Sequence, residues 1–149
     1  MLMCLFSFEI SSPKVVGEET SSLFVMKDDW SILIEALIQV ESEGNRFAVG
    51  KANDVGVLQI TPIYLKEVNR ILQEDVYTLS ERTDIDKSIE MFEIYQSRHN
   101  PSKNIEKAIM LHNPRAGKSY LNKVLNEFNK IKQDSTKMFL SLEKITQEI

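Results

Sequence analysis

From about residue 27 onward, apolar residues recur along the chain at helical spacing. In the first such segment they occupy positions i, i+3, i+4, i+7 and i+8, which are Trp30, Leu33, Ile34, Leu37 and Ile38. This spacing is typical of an amphipathic helix that buries one face. Asp28 or Asp29 is suited to cap its start, and Gly44-Asn45 is a common signal for its end.

Further helical segments follow the first one, after a loop over residues 45–54 that has no periodicity. No segment alternates apolar and polar residues in the manner of a strand. The sequence therefore predicts an all-α fold, with several short helices around one core. The predicted segments are a helix over residues 63–72 with Pro62 in its first turn, a third helix capped by Thr83 or Asp84, a fourth opened by Pro101-Ser102, a fifth over residues 120–131 after a break at Gly117, and a short last one over residues 138–145.

Residues 1–26 differ from the rest of the chain. The first eight, MLMCLFSF, are apolar but lack the basic residues that open an export signal, and residues 9–26 mix Ser, Glu, Thr and Gly around Pro13. We interpret residues 1–26 as an N-terminal tail and linker; a truncated export signal and a disordered or packed tail are the alternatives. The compact domain is predicted to span residues 27–149. The single cysteine, Cys4, lies in the tail, has no partner for an internal disulfide and is assigned no catalytic role.

Composition and charge exclude several classes of function. The 149 residues include 18 basic and 22 acidic side chains, and the net charge of -4 argues against a broad surface for nucleic acid. No apolar run approaches the roughly 20 residues that a membrane-spanning helix needs. The two histidines, His99 and His112, lie thirteen positions apart without the pattern of a metal site, and no glycine-rich phosphate loop is present. We therefore expect no metal, no cofactor and no nucleic-acid partner.

One acidic residue falls on the apolar face of the first helix. Glu41 comes eleven positions after Trp30, so it projects within about 20° of it, whereas Glu35 and Glu43 project toward solvent. Burial and the negative C-terminal end of the helix dipole both disfavour an ionised carboxylate at this position. A carboxylic acid that stays protonated near neutral pH can protonate a glycosidic oxygen. Glu41 is therefore the candidate catalytic acid, with a solvated or ion-paired helix-end glutamate as the alternative.

The residues after Glu41 extend this pattern. Residues 41–62 read ESEGNRFAVGKANDVGVLQITP, which resembles the signature of the soluble lytic transglycosylase family, relatives of goose-type lysozyme. Glu41-Ser42 matches the Glu-Ser pair of that family, and Gly56-Val57-Leu58-Gln59 matches its Gly-Leu-Met-Gln segment without a gap. The resemblance implies that Ser42, Gly56 and Gln59 contribute to substrate binding. Gly56 permits close approach of a sugar or of a neighbouring backbone, and the Gln59 amide suits the N-acetyl group or the hydroxyls of an amino sugar.

A second block strengthens the resemblance. Residues 108–124 read AIMLHNPRAGKSYLNKV, in which Asn113 and Tyr120 match an Asn and a later Tyr of the family. His112 stands where many members have a Tyr near the catalytic acid, so it is predicted to face the cleft and to hydrogen-bond Glu41 or substrate. Pro114-Arg115 replaces the small residues that usually follow the Asn, which is a departure from the family pattern. The resemblance implies substrate-binding roles for His112, Asn113 and Tyr120.

The resemblance spans roughly residues 30–128 and implies a lysozyme-like all-α fold with a substrate cleft. It also implies cleavage of the β-1,4 bond between N-acetylmuramic acid and N-acetylglucosamine in peptidoglycan, with Glu41 as acid and then base and with 1,6-anhydro ends as product. The expected partner is a peptidoglycan glycan strand, and the expected state is a monomer. Action is expected in the periplasm or outside the cell, with delivery by a phage or by a secretion apparatus as one route because no complete export signal precedes the domain.

Three alternatives remain from the sequence. If Asp54, in the loop before Gly56, positioned a water molecule, the same bond would be hydrolysed in the manner of lysozyme. The chain is also compatible with a peptidoglycan-binding relative that has lost turnover. A helical interaction module with a chance motif match is the third alternative, and it predicts an exposed Glu41.

Overall fold

The structure is a computed structural model that describes residues 27–147, with side chains through residue 145. Within this range there is no strand, only two isolated bridges, Val49 to Val55 and Val55 to Ile60, and no helix is long and apolar enough to cross a membrane. The predicted all-α class is confirmed. The α-helices are α1 (Asp29–Ser42), α2 (Pro62–Leu72), α3 (Ile85–His99), α4 (Ile105–His112) and α5 (Gly117–Gln147), and a 3-10 helix covers Leu79–Thr83.

Helix α1 follows the sequence prediction closely. The Asp28 side chain caps it by accepting a hydrogen bond from the Ser31 N–H at 2.7 Å, and Glu43 ends it in the left-handed conformation with φ 53. Its apolar face packs against α5 and α4. Because this face is buried, Glu41 at its C-terminal end is partly buried. The α1 residues in the core are Trp30, Ile32, Leu33, Ile34, Ala36 and Leu37.

The start of α4 differs from the prediction. Pro101-Ser102 lies in a turn, and the helix begins at Ile105 with Asn104 as its cap. The buried Asn100 fixes this turn, since its Nδ2 donates to the Asn104 carbonyl at 2.9 Å and its Oδ1 accepts from the Asn104 N–H at 3.2 Å. The prediction was wrong because the side chain of Asn100, not the proline, decides where the helix starts.

Helix α5 is one continuous helix of 31 residues, whereas the sequence predicted two. The apolar periodicity is interrupted over residues 132–137, but no Gly or Pro occurs there to end a helix. The interruption marks where α5 passes the first residue of α1, because Lys132 pairs with Asp29 at 2.6 Å. Gly117 begins α5 with φ 68, so the predicted break before this helix is present.

The structure does not test the predicted N-terminal tail or the predicted domain boundaries. The N-terminal tail, including Cys4, lies outside the described residues. The domain start at Lys27 and its extent to residue 149 stay predictions. The 3-10 helix was not predicted from the sequence, and its position against the loop before α2 matters for the site.

Candidate active site

Glu41 lies in the last turn of α1 and faces α4 and α5. Its side chain is 14% exposed, so it is neither freely solvated nor fully enclosed. The Tyr120 hydroxyl, from α5, donates a short hydrogen bond to Glu41 Oε1. The His112 Nε2, at the end of α4, lies 3.8 Å from the same oxygen. The structure therefore brings together three predicted site residues from three helices, with Tyr120 and His112 beside the Glu41 carboxylate.

His112 is buried beside this carboxylate, with 4% of its side chain exposed. The rings of Tyr64 and Phe92 contact it edge-on, at centroid distances of 5.8 and 5.6 Å. Burial lowers the pKa of His112, while the Glu41 carboxylate and the backbone of Leu58 act in the opposite direction. The imidazole is therefore neutral at neutral pH. It faces Glu41 as predicted, but at a distance longer than a hydrogen bond.

Tyr120 contacts Glu41, and the substrate-binding role that the resemblance implied for it stays a prediction. Its hydroxyl contacts the catalytic candidate itself, which makes it a positioning group for Glu41. Burial raises the pKa of Tyr120 well above its usual value, and the adjacent Glu41 raises it further. The phenol therefore stays protonated and remains a donor over the whole working pH range.

Gly56 is required by a neighbouring backbone. Its φ is +86, and a Cβ at this position would lie 1.8 Å from the carbonyl oxygen of Arg82 in the 3-10 helix. Of the two reasons that the sequence offered for a glycine here, close approach of a backbone is the one that the structure shows. The loop before α2 can lie against the 3-10 helix only because this side chain is absent.

Gln59 and Ser42 both bind the loop backbone. Gln59 Nε2 donates to the carbonyls of Ala48 at 3.1 Å and of Gly56 at 2.9 Å. Ser42 Oγ lies 2.9 Å from the Val57 carbonyl and 3.2 Å from the Ile38 carbonyl. These contacts hold residues 48–59 against the end of α1. Their predicted contact with substrate stays a prediction, and for Gln59 the atom suited to it is the amide oxygen.

Arg82 is a buried residue of this region that sequence reasoning missed. It is 4% exposed, and its guanidinium donates to the carbonyls of Leu79, Asn53 and Ile60 at 2.9, 2.6 and 2.9 Å. Burial lowers the pKa of Arg82, and the nearby Asp54 opposes the shift. No signal in the sequence identifies it, because two of its partners lie 22 and 29 residues away and all three are backbone atoms.

Asp54 and Asn113 have backbone-organising contacts. Asp54 Oδ1 accepts from the Ala52 N–H at 2.9 Å, and its carboxylate lies where a Cβ on Gly50 would be. Asn113 ends α4 directly after His112, and its carbonyl accepts from the Ala116 N–H at 3.2 Å. Neither residue has a contact with Glu41 among the interactions of residues 27–147. The roles of both residues in catalysis or binding stay predictions.

Comparison with known families agrees with this arrangement. A family model described as the transglycosylase SLT domain matches residues 25–142, which is well over half of the chain. The chain belongs to the transglycosylase SLT domain family. At the level of the family, this SLT domain has the lysozyme-like all-α fold and a lytic transglycosylase type of activity on peptidoglycan. No curated protein and no solved structure matched the chain.

Proposed function

We propose that this SLT domain cleaves the bond between N-acetylmuramic acid and N-acetylglucosamine by lytic transglycosylation, with Glu41 as the catalytic acid and base. The observation that supports this proposal most directly is the surroundings of Glu41. It is a mostly buried carboxylate at a helix end, with a protonated Tyr120 hydroxyl on one oxygen and a neutral His112 beside it. Among residues 27–145, no basic group forms an ion pair with it while His112 stays neutral.

The reaction needs one group that first gives and then takes a proton. Glu41 gives its proton to the glycosidic oxygen, and the bond from that oxygen to C1 of the muramic acid breaks. The resulting carboxylate then takes the proton of the C6 hydroxyl, and the C6 oxygen bonds to C1 to close a 1,6-anhydro ring. Glu41 ends protonated again, and no water is consumed. Because Oε1 accepts from Tyr120, we assign the proton transfers to Oε2.

In the part of the chain that the structure describes, no second acid contacts Glu41, which favours this mechanism over hydrolysis. A glycoside hydrolase uses a second carboxylate as nucleophile or to activate water. In the described residues, Asp54 is the acid that the sequence suggested, and its oxygens contact the backbone at Ala52 and Gly50. A transglycosylase needs no such group, because the substrate supplies the attacking hydroxyl.

The place of action follows from the substrate. We propose that the domain acts in the periplasm or outside the cell, where peptidoglycan lies, and that it works as a monomer. Delivery by a phage or by a secretion apparatus is part of the same proposal. Fractionation of producing cells and the molar mass of the purified protein test these two statements.

Mass spectrometry of a peptidoglycan digest tests the catalytic proposal. Wild-type protein is expected to release 1,6-anhydro muropeptides, and Glu41→Gln is expected to release none. Products one water heavier, with a reducing end, would show hydrolysis and would overturn the transglycosylase assignment. Equal product from Glu41→Gln would overturn the role of Glu41.

A further inference from the structure

The most exposed large apolar side chains of residues 27–145 are concentrated in one segment. Ile63 is 80% exposed, Val49 is 71% exposed and Phe47 is 68% exposed. We call these three residues the apolar rim. Other large apolar side chains in this range are less exposed, including Leu140 at 50% on α5. Exposed apolar side chains that lie together on a surface mark a binding site for a ligand or a partner.

Phe47 and Val49 of the apolar rim belong to the loop that the candidate site uses, and Ile63 lies in the first turn of α2. Ala48, between Phe47 and Val49, accepts hydrogen bonds from the Gly56 N–H at 3.0 Å and from Gln59 Nε2 at 3.1 Å. Val57, which follows Gly56, is tied to the end of α1 by Ser42, next to Glu41. Phe47 and Val49 therefore flank a residue that is hydrogen-bonded to Gly56 and Gln59 of the candidate site.

A positive charge accompanies the rim. The Arg46 guanidinium carbon lies 5.0 Å from the centre of the Phe47 ring, and both side chains are exposed. A flat ring beside a cation suits a ligand that has an apolar sugar face next to a carboxylate. Peptidoglycan has both, since each muramic acid carries a peptide stem with free carboxylates.

We propose that Phe47 stacks on a sugar of the glycan strand and that Arg46 binds a carboxylate of the peptide stem, so that this pair selects peptide-bearing strands. This inference rests on the proposed function and adds to it a residue pair for recognition of the stem. The pair contributes to binding and takes no part in proton transfer.

The test measures binding and cleavage separately. Binding of Phe47→Ala and Arg46→Ala is measured in a Glu41→Gln background, by co-sedimentation with intact peptidoglycan and by titration with glycan strands whose peptides have been removed by an amidase. Leu140→Ala is the control for an exposed apolar residue, and Arg98→Ala is the control for an exposed arginine of α3. Thermal unfolding verifies that each variant is folded.

Phe47→Ala is expected to weaken binding to both substrates by roughly 3- to 10-fold, as expected for the loss of one aromatic contact. Arg46→Ala is expected to weaken binding to intact peptidoglycan only. In the active protein, both variants are expected to raise KM with little change in kcat. Binding by Phe47→Ala equal to that of Leu140→Ala would overturn the stacking role. Equal losses for Arg46→Ala on both substrates would overturn the role in stem recognition. Because binding is measured without turnover, failure of the catalytic proposal would be seen separately, as a wild-type protein that binds and does not cut.

Discussion

Removal of the Tyr120 hydroxyl tests the arrangement around Glu41 most directly. Tyr120→Phe deletes one oxygen atom and leaves the partly buried ring in place, so Glu41 Oε1 loses its donor. We expect a lower kcat for this variant with little change in KM. The reason is that Glu41 becomes negative as it gives up its proton, and the hydrogen bond from Tyr120 then becomes stronger.

The magnitude follows from the difference between two kinds of hydrogen bond. A bond to a neutral group contributes about 1 kcal/mol, whereas a bond to a charged group contributes about 1.5–3 kcal/mol. Only the difference acts on the chemical step, because the neutral bond is already made in the ground state. A difference of about 0.5–2 kcal/mol lowers kcat by roughly 2- to 30-fold.

Tyr77 provides a matched control. It is a buried tyrosine, and its hydroxyl also donates to a glutamate, at 2.9 Å from Glu90 Oε2. Glu90 has no part in the proposed mechanism. Both Tyr→Phe variants are expected to lose about 1 kcal/mol of unfolding free energy. Only Tyr120→Phe is expected to lose kcat.

The assay is the initial rate of release of anhydro muropeptides at saturating peptidoglycan, with unfolding midpoints measured in urea. If Tyr120→Phe cleaves as fast as Tyr77→Phe, the hydroxyl does not assist Glu41 and the proposed role of Tyr120 is wrong. A rise in KM with unchanged kcat would place Tyr120 in substrate binding, as the resemblance implied.

Substitutions at Gly56, Arg82 and His112 test the contacts that stabilise the site. Gly56→Ala is expected to cost more than about 3 kcal/mol of stability, because its Cβ would overlap the Arg82 carbonyl. Gly44→Ala is the control: Gly44 has φ +80 and no neighbour within 4 Å, so this variant is expected to cost only about 1 kcal/mol. Equal losses in urea unfolding would contradict the close approach. Arg82→Met is expected to cost about 3 kcal/mol, since the carbonyls of Leu79, Asn53 and Ile60 each lose a hydrogen bond from the guanidinium. The lowered pKa of His112 means that the unfolded chain binds a proton more readily, so stability falls as pH drops below about 6.5, by up to about 1.4 kcal/mol per unit. In His112→Gln this loss of stability at low pH is expected to vanish. Urea unfolding at several pH values measures it, and the same dependence of unfolding free energy on pH in wild type and variant would refute the prediction.

Local sequence signals determined much of the helical framework. The spacing of Trp30, Leu33 and Leu37 fixed the buried face of α1, and the Asp28 cap fixed its start. The same spacing placed Glu41 on the side of the interior. These features were predictable because they depend on residues within a few positions of one another.

Long-range contacts decided the rest. The Tyr120 hydroxyl and Glu41 are 79 positions apart, so helical spacing says nothing of their contact. Two further differences are local features that apolar spacing does not reveal. The start of α4 depends on the Asn100 side chain, which bonds Asn104 four residues later, and the continuity of α5 depends on the absence of a helix-breaking residue between its apolar segments. Arg82 binds backbone carbonyls, which every residue has, so its partners could not be predicted from residue types.

The sequence by itself determined the fold class, the family and the residue most suited to be the acid. Only the tertiary structure decided what surrounds that acid: a tyrosine hydroxyl on one oxygen, a neutral histidine beside it and a loop fastened by Gln59, Ser42 and Arg82. The physical reason is that helix periodicity acts over a few residues, whereas burial and hydrogen bonding act on whatever side chains the packed helices bring within about 3 Å of one another.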